Sequence, residues 1–154
     1  MIAQVFVDTN IFVYRHDESD LTKQACAAEW IAFLARSRTG RLSFQVLQEL
    51  YVTLTRKGRL AFNPPEVREI VRDLTAWRPV ATDTRVLERA WLLQDRHSIS
   101  WWDALIVAAA QSCECSILLT EDLQHGHDFG GLRVINPFRT RSETPAGIME
   151  TQGC

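Results

Sequence analysis

Three acidic positions stand where apolar sequence meets a turn. VFVD ends at Asp8, and ILLTED ends at Glu121 and Asp122. SISWWDALIVAAA, residues 98–110, places Asp103 at the mouth of a wholly apolar run. A charge beside a buried segment is costly unless something uses it. Asp103 has an ordinary structural use, because Ser100-x-x-Asp103 fits a capping box with an acid in the first helical turn. Asp8 and Asp122 stand directly after two expected strands. If these carboxylates share a pocket, they stay ionised together only when a cation compensates them. Oxygen donors of this kind suit Mg²⁺ or Mn²⁺ and not zinc. A cation so held makes hydroxide available, orients a phosphate and shields a leaving oxygen, which is the chemistry of phosphodiester hydrolysis.

The elements decide whether the acids can meet. Residues 2–7, 116–120 and 132–135 read as short buried strands, the last stopped by Asn136-Pro137, with briefer strand signals at 41–44 and 80–82. Helices are expected from Thr9 or Asn10, from an Asp20 or Thr22 cap to a stop before Gly40, and over 45–57 with Gly58 as stop. Further helices are expected from Asn63-Pro64-Pro65 to about Trp77, after Asp83, and from Ser100. Short strands alternating with helices predict an α/β domain with a parallel sheet. In such a sheet, ligands bind beyond the carboxyl ends of the strands. Asp8 and Asp122 follow two such ends, and a helix leading into a strand begins at that same edge, so Asp103 joins them by topology. Glu49 does not follow from this argument. It lies off the apolar stripe of the 45–57 helix, and its periodicity reads as a solvated surface position.

The bulk numbers fit one globular domain. The chain has 154 residues, 46% of them hydrophobic and 23% charged, enough for a full core. No apolar run reaches the roughly 20 residues that cross a bilayer, and the N-terminus lacks the basic region of a signal peptide. Cys26, Cys113, Cys115 and Cys154 fit no zinc spacing and read as reduced thiols of a cytoplasmic protein. The net charge of −2 argues against an extended grip on nucleic acid, but not against local basic clusters. Residues 139–154 lack apolar periodicity and read as a flexible C-terminal tail beyond a 1–138 domain.

VFVDTNIFVY, the Glu49 helix, SWWDALIVAAA and LLTEDLQHG…GLRVINPF together, in this order, resemble the PIN-domain ribonucleases, most closely the VapC toxins of bacterial VapBC toxin–antitoxin pairs. The resemblance covers residues 2–138. It implies a PIN-like fold, a central parallel sheet flanked by helices, and a Mg²⁺- or Mn²⁺-dependent endoribonuclease leaving a 5′-phosphate and a 3′-hydroxyl. It also implies a homodimer and a cognate VapB-type antitoxin as partner. Residue by residue, Asp8, Glu49, Asp103 and Asp122 match the family's four acids, as catalytic and metal-holding groups. Asn10 and Thr120 match the polar positions that support them. Glu121 is an alternative to Asp122 as the fourth acid.

Other residues invite competing readings. His125 and His127 read as a Gly-containing turn before a metal pair. Trp101 and Trp102 read as one core ring and one ring at the pocket rim before base-stacking groups. Arg56, Lys57 and Arg59 are candidates for RNA phosphates, and Arg36, Arg38 and Arg41 form a second cluster; helix-end cations also have a plain dipole explanation. Two rival functions remain open: a PIN nuclease of RNA processing or repair, and a non-catalytic module whose acids cap and solvate. Haloacid-dehalogenase-like phosphatases are set aside because Asn10 stands where their second acid belongs. Response-regulator receivers are set aside because Asp8 has no acidic neighbour.

Overall fold

The computed structural model describes residues 2–58, 60–140 and 142–152. A four-stranded parallel sheet forms the centre: β1 (Val5–Val7), β2 (Gly40–Arg41), β3 (Ile117–Leu119) and β4 (Arg133–Ile135), in the order β2-β1-β3-β4. β1 lies in register with β3, Val5 opposite Ile117 and Val7 opposite Leu119. Both strands are fully buried, which is why they read as unbroken apolar runs and not as alternating ones. The helices are α1 (Thr9–Arg15), α2 (Leu21–Ser37), α3 (Phe44–Thr55), α4 (Pro64–Leu74), α5 (Thr84–Arg96), α6 (Trp101–Ser112) and α7 (Pro145–Gln152). Among the described residues, no helix is long and apolar enough to cross a membrane.

Caps set where these helices start. Asp20, Ser43, Asp83 and Ser100 each accept a hydrogen bond from the backbone N–H three residues on. Asn63 makes no side-chain cap, and α4 begins instead on Pro64, whose missing N–H costs nothing there. α6 is buried along Ala104–Ala110, and its alanines let α5 approach closely. The Sγ atoms of Cys113 and Cys115 lie 3.4 Å apart as free thiols between α6 and β3.

Three expectations need correction. The strand expected at 41–44 ends at Arg41, because Ser43 caps α3 and turns the chain out of the sheet. Residues 80–82 form no strand; Val80 makes a single bridge to Ser43. Within 139–154, expected to be a flexible C-terminal tail, Pro145–Gln152 form α7, and Ile148 is 4% exposed against the core. Eight residues with one buried isoleucine are too few to write a helical period into the sequence.

Gly40 also has a role that turn grammar did not suggest. α2 ends on Arg38 in the left-handed region, φ 56°, and Gly40 sits inside β2. A Cβ there would fall 2.3 Å from the Trp77 ring, so the glycine is needed for ring-to-backbone packing. Gly40→Ala is expected to lower stability by about 1–3 kcal/mol in urea unfolding, and Trp77→Leu in the same chain to recover part of the loss.

Candidate active site

All four strands end at one edge, and the acids collect there. Asp8 follows β1 and is 5% exposed. It caps α1 through Oδ1, which accepts from Thr9 N at 2.7 Å. Its Oδ2 accepts from Thr120 Oγ1 at 2.8 Å. Thr120 follows β3, is fully buried, and its Oγ1 also accepts from Asp122 N at 3.1 Å. Asn10, one residue into α1, links the two strand ends. Its Nδ2 donates to Asp122 Oδ2 at 3.0 Å and to Thr120 Oγ1 at 3.1 Å, and lies 3.4 Å from Asp8 Oδ2.

Glu49 reaches this group from α3. Its Oε2 accepts from Thr9 Oγ1 at 2.8 Å and its Oε1 from Gln45 Nε2 at 2.9 Å. The solvated-surface reading therefore fails: Glu49 is half-buried, turned toward α1 and held from two elements. Sequence reasoning also missed Thr9 and Gln45. The spacing Gln45-x-x-x-Glu49 was available as an i, i+4 pair, whereas nothing local marks Thr9 as a partner of α3. Asp103 sits in the first turn of α6, where its N–H donates to Ser100 Oγ at 3.1 Å.

Electrostatics tie the four together. Burial pushes the Asp8 carboxyl up to about 7, against the pull of Thr120 and Thr9, and the charges of Asp122 and Glu49 push the same way. Burial raises Asp103 too, opposed by hydrogen bonding with Ser100 and reinforced by Asp122 and Glu49. Asp103 and Asp122 line one hollow of about 370 Å³, and Asp122 also borders a second of about 280 Å³ with Thr9 and Asn10. Among the described residues, no group of three or more His, Cys, Asp or Glu side chains is placed to hold a metal ion. The donors are all hard oxygens whose charges repel. That set fits a small divalent cation that takes one or two carboxylates directly and keeps several of its waters.

Glu121 points elsewhere. Its carboxylate accepts from Tyr14 Oη at 2.7 Å and pairs with Lys23 Nζ at 2.8 Å, so its charge is matched on the α1–α2 side. His125 and His127 lie in a turn: Gly126 N donates to Val134 O, and Val134 N to His127 O. Trp102 is 62% exposed and shares a hollow with Gln45 and Glu49, while Trp101 stacks on Trp91 with ring centres 6.4 Å apart and is not a deep core ring. Arg56 and Lys57 are exposed past the C-terminal end of α3, about 10 Å of helix beyond Glu49. Arg59 lies outside the described residues. Arg38 lines a hollow with Gly40, Trp77 and Arg78, and Arg36 and Arg41 lie on α2 and β2.

Comparison with known proteins places the fold. The family model described as "PIN domain" matches residues 5–127. No curated protein matches the chain. Its fold is similar to a toxin–antitoxin complex from Klebsiella pneumoniae, at a TM-score of 0.63 and 18% identity, covering 87% of this chain and 98% of that one. It is also similar to VapBC2 from Rickettsia felis bound to a promoter DNA fragment, at 0.62 and 17%, covering 86% and 97%. DNA-bound VapBC from Salmonella typhimurium gives 0.62 and 16%, covering 88% and 98%.

The buried acid makes a stability prediction. The folded Asp8 carboxyl holds its proton to about pH 7, well above the ordinary 3.8. Its preference for the folded state is therefore complete below about pH 4 and is lost as pH rises through about 7. Without metal, Asp8→Asn is expected to be more stable than the parent at pH 8 by about 1–3 kcal/mol. This is less than the roughly 4 kcal/mol that the shift corresponds to, because the amide gives up one acceptor oxygen. Urea unfolding in EDTA should show the gap closing toward pH 4.

Proposed function

This chain belongs to the PIN-domain family, and on that premise we propose that it is a divalent-metal-dependent endoribonuclease of the VapC type, a toxin restrained by a VapB-type antitoxin. The observation that carries the reading is the convergence of Asp8, Glu49, Asp103 and Asp122 at the carboxyl edge of a parallel sheet, where buried Asp8 and half-buried Asp103 each feel the charges of Asp122 and Glu49. In this reading the four carboxylates hold Mg²⁺ or Mn²⁺. A divalent cation bound there supplies hydroxide near neutral pH and polarises a phosphate.

The chain's own part is positioning. Thr120 and Asn10 fix the Asp8 and Asp122 oxygens, and Thr9 and Gln45 fix those of Glu49, so the cluster keeps its shape as its charge changes. Asp103 rides on α6, whose buried length resists movement of its first turn. Glu121, already matched by Lys23 and Tyr14, anchors the Asp122 loop to α1 and α2 and leaves Asp122 as the fourth acid. The antitoxin partner is supported by the two-component VapBC assemblies among the similar structures. The homodimer is carried on the resemblance, and a cytoplasmic location on the reading of the cysteines as reduced thiols.

The test compares wild type with Asp103→Asn on single-stranded RNA, with Mg²⁺, with Mn²⁺ and with EDTA. Asp103→Asn is expected to lose cleavage by at least about 10²-fold. It should unfold within about 1 kcal/mol of wild type, because Ser100 still caps α6. Undiminished cleavage, or indifference to EDTA, would refute the metal mechanism; equal loss of stability and activity would favour a purely structural Asp103. Sequencing RNA 5′ ends after brief induction in cells would identify the target. Growth arrest relieved by a neighbouring DNA-binding reading frame would separate a toxin from a processing enzyme.

A further inference from the structure

A row of arginines leads to the acids from a direction that the basic clusters 36–41 and 56–59 do not occupy. α5 carries Arg85, Arg89 and Arg96. The spacings i, i+4 and i+11 stack them within about 40° of one another over about 16 Å of helix. All three are exposed, and all three line one hollow of about 550 Å³ with Leu92, His97 and Phe129. Glu88 is the acid in that wall. Among the described residues, the salt bridges are Lys23–Glu121 and Arg72–Glu69, so none of the three guanidiniums is matched by an ion pair.

The row has a direction. α6 enters the sheet from the strand-end edge, and α5, which precedes it and packs along it, runs toward that edge. α5 finishes at Arg96, and the next residue, His97, walls two hollows at once: the arginine-lined one and the one that holds Asp103 and Asp122. Phe129 is the second shared wall. Its ring centre lies 4.9 Å from that of His97 and 4.3 Å from that of His127, and its carbonyl accepts from Gln111 of α6 at 2.8 Å. Cations therefore pass into acids across a fixed aromatic wall.

We propose that the α5 arginine row holds the phosphodiester backbone of single-stranded RNA on one side of the cleaved bond and passes it over the His97–Phe129 wall to the acids. One row of cations matches one backbone, where a duplex would present two. Guanidinium forks suit phosphate oxygens, and Leu92 and Phe129 offer apolar surface to bases. A chain of net charge −2 needs local cations of this kind to retain a polyanion. The assignment of the acids rests on the nuclease reading above; the binding does not.

The test uses the full chain in the Asp103→Asn background with Mg²⁺ and a labelled single-stranded RNA of about 12 nucleotides, within the usual span of such sites. Arg85→Glu with Arg89→Glu, and separately Arg96→Glu, are compared with Arg68→Glu plus Arg72→Glu on α4. The α5 variants are expected to weaken binding at least about tenfold, and to flatten the salt dependence by about 0.7 per lost phosphate contact. The α4 control should move neither. Arg85→Gln with Arg89→Gln, a gentler change, should give the same direction with unaltered thermal unfolding. In the otherwise unmodified chain, the α5 changes should raise KM for the long RNA and leave cleavage of a tetranucleotide, too short to reach along α5, at the wild-type rate. Unchanged affinity and salt slope in both α5 variants would overturn the proposal. So would a row that binds an acidic peptide without competition from RNA. Failure of the nuclease reading looks different: wild type cuts neither RNA while the α5 variants still lose binding.

Discussion

Carboxylates crowded at one edge of a parallel sheet repel one another, and a metal-free chain has to hold them together by other means. Here that work falls to neutral donors. Thr9, Asn10, Gln45 and Thr120 each give a hydrogen bond to one of the acids, and each comes from an element that would be placed where it is for packing reasons alone. The repulsion is not removed by these contacts. Burial is the main cause of the raised proton affinity of Asp8 and Asp103, and the charges of Asp122 and Glu49 add to it. The rest of the molecule reads as the scaffold that keeps this arrangement from relaxing.

Two parts of that scaffold do most of the holding. β1 and β3 lie side by side, so the Asp8 N–H donates to Leu119 O at 3.0 Å and the two strand ends cannot drift apart. α6 is apolar on every side and buried along most of its length, and a helix without a solvent face has nowhere to roll. Ser100 then decides which residue opens the first turn, and Asp103 follows from that choice. Asn10 ties the two strand ends together from α1, a helix of only seven residues whose buried residues are Thr9, Ile11, Phe12 and Val13.

The sheet and the acids at its edge were legible in the sequence because each depends on short-range pattern. VFV and ILL are unbroken apolar triplets, which only a doubly covered strand needs, and parallel topology then brings the acids beyond their ends to one edge. Glu49 was legible only through family resemblance. Its partners come from forty residues away and from its own helix, and the apolar stripe of α3 carries no trace of Thr9. α7 was not legible, since eight residues cannot display a period. Gly40 was noticed for the wrong reason: a stop after α2 is common for glycine, whereas the Trp77 ring against its backbone is a contact no local rule encodes. Nothing local singles out the α5 arginines; the hollow they share with His97 and Phe129 sets them beside the acids.

The buried position of Asp8 reaches beyond structure into how the cluster responds to its surroundings. A carboxyl that keeps its proton to about neutrality competes for that oxygen with any cation drawn to the site. Occupancy by cation and release of a hydrogen ion are then a single exchange, so the apparent affinity steepens with pH and the heat of association varies with the ionisation enthalpy of the buffer. Were a divalent cation held there, mild acidification would weaken its hold through the titration of one side chain behind β1.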